Sequence, residues 1–439
     1  MALSVGSLAA AGPAPDPSDP RVEWLRDHAI PIRSIDPADE DFTDLEPLRK
    51  ALGDARVVIL GEATHGDGST FLVKSRLVRF LHRELGFDVL AFESGSYDCW
   101  KAWRRIEAGD DPDAAFRESV FPIWTRSAQI QSLIDYFSSV ARTERPLILA
   151  GIDSQFTGEM SDRFLLEDLV RIADAVGAPA DRLAKTIAGP LANFVEARYE
   201  GGEVPEPAAR SAFLEALADL EGRLRREGEQ VPDQAFWLRL LESTRDSAAT
   251  FWSAKPVGSP IESPEDYAVR DRLMGEQIVW LARNGFPGRK IVVWMHSLHA
   301  ARGLRDVEVP PSMPVHVRLF RTLEPAGHVA RAALGDDLYT MAFLAYQGRY
   351  ATVFADRPIE LWKPSEGSLE DLFHRTGRAF AFLDLSHRRD LAQWLRDRTI
   401  ARPMGFMEMR ARWWEVFDGM LFLDRMEVSQ AVGSVGPGA

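Results

Sequence analysis

Apolar and polar positions fall into two kinds of block along this chain. Short unbroken apolar runs bounded by Gly read as buried strands, and longer stretches with an apolar residue every three or four positions read as amphipathic helices. The clearest succession runs from Arg56 to Trp100. It opens with a strand at 57–60, turns through Glu62, Thr64 and His65, continues as a helix over about 70–85, and returns as a strand at 89–92 that ends in Glu93. This is a βαβ unit, whose two strands lie parallel. The strand pattern recurs at 146–153, ending in Asp153, and at 290–295, where it delivers Trp294, His296, Ser297, Leu298 and His299. Further strands are expected at 338–346, 350–354, 379–382 and 419–423, and helices at 21–28, 44–52, 99–108, 114–120, 127–142, 369–373 and 389–395.

From about 160 to 285 the chain is helical in period, with no strand-like run. It is broken near Gly189-Pro190, Gly201-Gly202, Pro205 and Pro256 to Pro264. That is too long for one crossover helix and predicts a helical insertion that walls one side of a cleft. The expected fold is α/β: a mostly parallel central sheet flanked by helices, in a single domain over 21–430. Disordered tails are expected at 1–20 and 431–439.

Composition narrows the function classes. A formal net charge of -14 disfavours nucleic acid and anionic membranes, which select basic surfaces. Cys99 is the only cysteine, so no intrachain disulfide forms. No apolar run reaches the roughly 18 residues that span a bilayer, and no Lys or Arg precedes the weakly apolar start. A cytoplasmic protein acting on a small molecule is expected; its oligomeric state is left open.

The chemistry collects at strand ends. Glu62 and His65 follow the first strand, Glu93 the second, Asp153 the third, and His296 and His299 the fourth. In parallel sheets ligands bind beyond the carboxyl ends of strands, so these side chains are expected to converge. His296 and His299, three residues apart, share a face on a helical turn. Paired imidazoles can move a proton or stabilise an oxyanion. Glu62 with His65 suits an orienter and a base. His28, His82, His316, His328, His374 and His387 lie in helical or loop contexts and read as surface or packing residues. Gly61 and Gly66 have P-loop spacing, but Asp67 stands where Lys is required. Gly66-Asp-Gly68 is a truncated dinucleotide fingerprint without its third glycine. G-x-S-x-G and H-E-x-x-H motifs do not occur. The residues alone leave two rival readings: a metallohydrolase using Glu62, His65, Glu93, His296 and His299 as ligands, and a small-molecule-binding protein without turnover.

Several segments, in order, resemble the erythromycin esterase family: the PI-x-S-x-D approach at Pro31 to Asp36, LGEATHG at Leu60 to Gly66, LGFDVLAFE at Leu85 to Glu93, GID at Gly151 to Asp153 and WMHSLH at Trp294 to His299. The resemblance implies an α/β sheet with a helical lobe. It also implies hydrolysis of an ester or lactone without metal or other cofactor, with macrolides and antibiotic resistance as its setting. On matching positions it makes His65 the base for water, Glu62 its partner, and Glu93, His296 and His299 further catalytic groups. Lys74, Asp153 and Trp294 are expected to contact substrate. Lys74 stands where the family has Arg and Ser297 where it has Asn. Gly68, Ser69 and Thr70 occupy the stretch where an acidic residue is usual.

Overall fold

Eleven strands carry the fold in a computed structural model that describes residues 19–200, 204–254, 264–310, 312 and 314–433. They are β1 (Ile30–Pro31), β2 (Val57–Glu62), β3 (Phe87–Gly95), β4 (Ile148–Asp153), β5 (Lys290–His296), β6 (Leu338–Tyr350), β7 (Ile359–Glu360), β8 (Phe380–Asp384), β9 (Thr399–Ala401), β10 (Met409–Ala411) and β11 (Gly419–Met426). Nine form one sheet in the order β1-β8-β11-β6-β2-β5-β3-β4 with β7 beside β6, and β9 with β10 makes a separate ribbon. The run from β11 to β4 is parallel throughout; β1, β7 and β8 pair antiparallel. Every residue of β2 and β4 is buried. Strands covered on both faces lose the in-out alternation of a half-exposed sheet, which is why they appear as unbroken apolar runs.

The order of connections locates the cleft. From β2 the chain crosses through the helix Gly68–Leu85 to β3, beyond β5, whereas from β5 it passes back over β2 to β6. Right-handed crossovers in opposite directions put their helices on opposite faces. The connections that leave the adjacent strands β2 and β5 therefore diverge at the strands' carboxyl ends, the usual place for a ligand in such sheets. Glu62 and His296 are register partners at that point.

Between β4 and β5 lie the helices Glu159–Ala175, Ala180–Glu200, Pro207–Glu227, Gln234–Ala254 and Pro264–Trp280. The last packs against β4 and against the helix Ala326–Leu334. Contrary to the expected break, Ala180–Glu200 runs through Pro190. Pro forfeits one helical hydrogen bond, and the buried stripe of Ile187, Leu191 and Phe194 holds the helix to its neighbours. The expected breaks at 201–202 and 256–263, the tails at 1–18 and 434–439, and the side chain of His316 lie outside the described residues. Asp19 caps the first helix, Pro20–His28, by accepting the Arg21 N–H.

One expected strand is absent. Tyr350 still belongs to β6, but at 351–354 the chain has left the sheet, because the backbone at Ala351 is diverted to the His65 loop: its N–H donates to the Gly66 carbonyl at 3.2 Å, and its carbonyl accepts the Ser429 N–H at 3.2 Å. The same approach explains two glycines. A Cβ on Gly66 would lie 2.6 Å from the Ala351 carbonyl carbon, and one on Gly68 would lie 2.2 Å from the Val428 oxygen. These glycines admit neighbouring backbone, and their resemblance to phosphate-binding loops has that origin.

Gly68→Ala should therefore destabilise the protein by roughly 1–3 kcal/mol through overpacking. Gly222→Ala is the control: it lies inside the helix Pro207–Glu227, where the new methyl meets only the tip of Arg226, and should be neutral or stabilise by up to about 1 kcal/mol. Urea unfolding of the two variants should move the midpoint in opposite directions, and equal midpoints would contradict the steric account.

Candidate functional site

Glu62 ends β2 with no exposed surface. A carboxylate without water needs partners on both oxygens. One oxygen meets the Lys74 ammonium, delivered by the crossover helix. The other accepts the Trp124 indole N–H at 3.1 Å and faces His65 Nδ1 at 3.1 Å. Lys74 is itself fully buried, with its ammonium 4.1 Å from the centre of the Trp294 ring. Burial draws its pKa down to about 8 against the opposing pull of Glu62. Trp294 is equally buried and stacks on Phe92. Lys74 and Trp294, expected to touch substrate, are thus fully buried: Lys74 lies against Glu62, and Trp294 lies against Lys74.

His65 is the member of this group that meets solvent, with 28% of its side chain exposed. Its ring stands edge-on to Trp124 at 5.2 Å and to His296 at 5.3 Å between centroids. Asp67 fixes the turn beneath it by accepting the Thr64 N–H at 2.9 Å and hydroxyl at 2.5 Å. Burial raises the Asp67 carboxyl to about 7 despite those bonds.

The two remaining histidines are in opposite states. His296 accepts the Leu298 N–H on Nδ1 at 3.0 Å, which places its proton on Nε2. Burial, together with the nearby His65 and His299, lowers its pKa to about 3, so the ring is neutral. Burial would lower His299 likewise, but Asp271 and Glu93 outweigh it and raise the ring to about 9. Its Nδ1 is 2.9 Å from both oxygens of Asp271, and its Nε2 is 3.4 Å from Glu93. Burial alone would raise Glu93; the positive charges of His299 and Arg270, with the His296 backbone N–H, reverse this and hold the carboxyl well below the usual range. Arg270 donates to Glu93 at 2.9 Å and grips Asp153 at 2.6–3.2 Å.

The six residues read from strand ends therefore lie along one edge. Glu62, His65, Glu93, His296 and His299 form a linked cluster, and Asp153 joins it through Arg270. Sequence reasoning missed Trp124, Asp67, Arg270 and Asp271. Only Asp67 carried a signal, standing three residues after Thr64 in a capping position. Among the described residues, no three His, Cys, Asp or Glu side chains are grouped so as to hold a metal ion. Of the residues in the metallohydrolase reading, Glu62 is engaged with Lys74, Trp124 and His65, Glu93 with Arg270, His299 and the His296 N–H, and His299 with Asp271 and Glu93.

A parallel α/β sheet with imidazoles and carboxylates at its switch point is the architecture of an enzyme, and similarity to known proteins makes it a hydrolase. The family model for erythromycin esterase matches residues 82–426, and the chain belongs to the erythromycin esterase family. The match begins after Glu62 and His65, so their roles rest on geometry. The chain is 25% identical to "Putative hydrolase YbfO" of Bacillus subtilis (strain 168), covering 98% of this chain and 96% of that one. It is 24% identical to erythromycin esterase type II of Escherichia coli, covering 93% and 99%. The fold matches the solved structure of a mutant of the erythromycin esterase EreC in its open conformation with a TM-score of 0.64, 18% identity, and coverage of 91% and 98%. Among the described residues no helix is long and apolar enough to cross a membrane.

Two expectations follow from the charges. Lys74→Met leaves Glu62 buried and unpaired and should cost roughly 3–5 kcal/mol; adding Glu62→Gln should recover most of it, and denaturant unfolding of the single and double variants measures the coupling. The second concerns pH. His299 is raised from 6.5 to about 9 in the folded state, so the stability it contributes is complete below about pH 6.5 and is lost as pH rises through about 9. Unfolding midpoints of the wild type should decline over that interval, and a His299→Gln variant should show a shallower decline; parallel curves would contradict the assignment.

Proposed function

We propose that the protein hydrolyses a carboxylic ester or lactone of a small molecule, with His65 as general base for water and Glu62 as its orienter. The observation that carries this is the His65–Glu62 pair. With Nδ1–H directed to the Glu62 carboxylate, the lone pair of Nε2 is left for the cleft, where His65 alone of the pair meets solvent. His65 takes a proton from water as the hydroxide oxygen bonds to the carbonyl carbon. The tetrahedral intermediate collapses with cleavage of the C–O bond, and the proton passes from His65 to the departing alkoxide. The products are acid and alcohol, or the opened hydroxy acid.

Neutral His296 carries its ring proton on Nε2, where the Ala63 carbonyl accepts it in the free protein; turned from that carbonyl to substrate beside His65, this N–H is assigned to the developing oxyanion, a contribution of roughly 3 kcal/mol for such a donor. His299 is engaged on both nitrogens and supports Glu93. Lys74 acts through Glu62, whose carboxylate it holds in place. The cytoplasmic setting belongs to the same proposal and accords with a free, buried Cys99. Since a relative of this chain is called an erythromycin esterase, macrolactones belong in the substrate panel with simple aryl esters.

Purified wild type should hydrolyse at least one member of that panel. His65→Ala should lower kcat/KM by roughly 10²- to 10⁴-fold while keeping the far-UV spectrum and unfolding midpoint. A fully active His65→Ala variant refutes the base assignment, and background rates from wild type across the panel refute the reaction class.

A further inference from the structure

We infer that Arg270 and Asp271, neighbours on the lobe helix Pro264–Trp280, are positioning residues for this hydrolysis: through Glu93 and His299 they hold His296 in place beside His65. The inference rests on the reading of His65 and Glu62 given above. Successive side chains on a helix point about 100° apart, so one helix lying over the sheet edge can send two adjacent residues to different strands. Arg270 reaches back to β3 and β4. Its Nε lies 3.2 and 3.1 Å from the two Asp153 oxygens, and its Nη2 lies 2.6 Å from Asp153 Oδ2 and 2.9 Å from Glu93 Oε1. Asp271 reaches toward the turn after β5, where it faces His299 Nδ1 and also accepts the Ala326 N–H at 3.0 Å.

Both paths end on the same carboxylate. Glu93 Oε1 is faced by Arg270 and by His299 Nε2 at 3.4 Å, and Glu93 Oε2 accepts the His296 backbone N–H at 2.8 Å. Two donors on one oxygen fix the plane of the carboxylate, and its other oxygen fixes the residue whose ring stands 5.3 Å from His65. Asp271, Glu93, Asp153 and His299 are all buried. Packing alone does not call for such a cluster, since apolar side chains of similar volume fill buried sites equally well or better. Its location at the carboxyl edge, with its last link on His296, is what assigns it to the reaction.

The test compares Asp271→Asn and Arg270→Gln with the conservative Asp271→Glu and Arg270→Lys, using an aryl ester that wild type turns over. Small displacements of reacting groups cost up to about 100-fold in rate. Asp271→Asn should lower kcat about 10- to 100-fold with KM changed less than about threefold, and Asp271→Glu should regain part of the loss. Arg270→Lys should fall between wild type and Arg270→Gln, because it keeps the charge and loses the fork. Imidazole ¹H–¹⁵N spectra give a readout independent of turnover: Asp271→Asn should shift the His296 resonances as well as those of His299. Variants that melt earlier but keep kcat, or that leave the His296 signals in place, overturn the inference. If wild type hydrolyses none of the panel, the reaction assignment fails by itself, and the His296 spectra still decide whether Arg270 and Asp271 position that ring.

Discussion

A carboxylate sealed at the end of the central strand sets the terms for its surroundings. Removing an ion from water costs several kcal/mol even after relaxation, so Glu62 is tolerable only with a cation and further donors in fixed places. Lys74 must come from the crossover helix twelve residues on, which constrains the length of the intervening loop and the phase of the helix. Trp294 must lie flat under the Lys74 ammonium, which constrains β5. Trp124 must bring its indole N–H to the remaining oxygen, which ties in the short helix Pro122–Thr125. One ion pair thereby registers four elements against each other. Its outward consequence is a histidine with one nitrogen committed and the other available.

The three imidazoles show how surroundings divide labour among identical side chains. His65 has a carboxylate behind it and solvent in front. His296 is hemmed in by the other two rings and takes a backbone N–H on Nδ1, so the charged form is disfavoured twice over. His299 sits between Asp271 and Glu93, and the charged form wins despite burial. A solvent-facing imidazole, a neutral buried one and a fixed cation therefore stand within 5.3–6.1 Å between neighbouring ring centres. Separated protonation states among close neighbours are the arrangement that acid–base chemistry near neutral pH requires.

Much of this was legible in the chain. Strands buried on both faces announce themselves as apolar runs, and the polar residue that ends each run marks the carboxyl edge; Glu62, Glu93, Asp153 and His296 were all found that way. Arg270 and Asp271 were not, because a helical period shows which residues share a face and says nothing about what that face docks against. Lys74 and Trp294 were read as substrate contacts, since charge and aromaticity are visible in sequence and depth is not. The strand expected at 350–354 failed for a similar reason. Its β-like residues are real, but the backbone at Ala351 is claimed by Gly66 and Ser429, partners from either end of the chain.

The placement of counter-charges also changes what the helical lobe is for. Each strand of the β2-β5-β3-β4 run brings a polar group to the carboxyl edge, and three of the four are acids. The crossover helix can serve only the strand it follows, and Lys74 is spent on Glu62. Glu93 and Asp153 lie toward the margin of the sheet, where β4 is the last strand and has no neighbour beyond it. Their cation must arrive from whatever packs over that margin, which is the lobe's final helix. The lobe is therefore part of the electrostatic structure of the site as well as a wall of the cleft. A displacement that pulled Arg270 from its partners would leave two buried carboxylates on adjacent strands without their shared cation. The energetic cost of that separation ties the lobe's position to the state of the cluster beneath it.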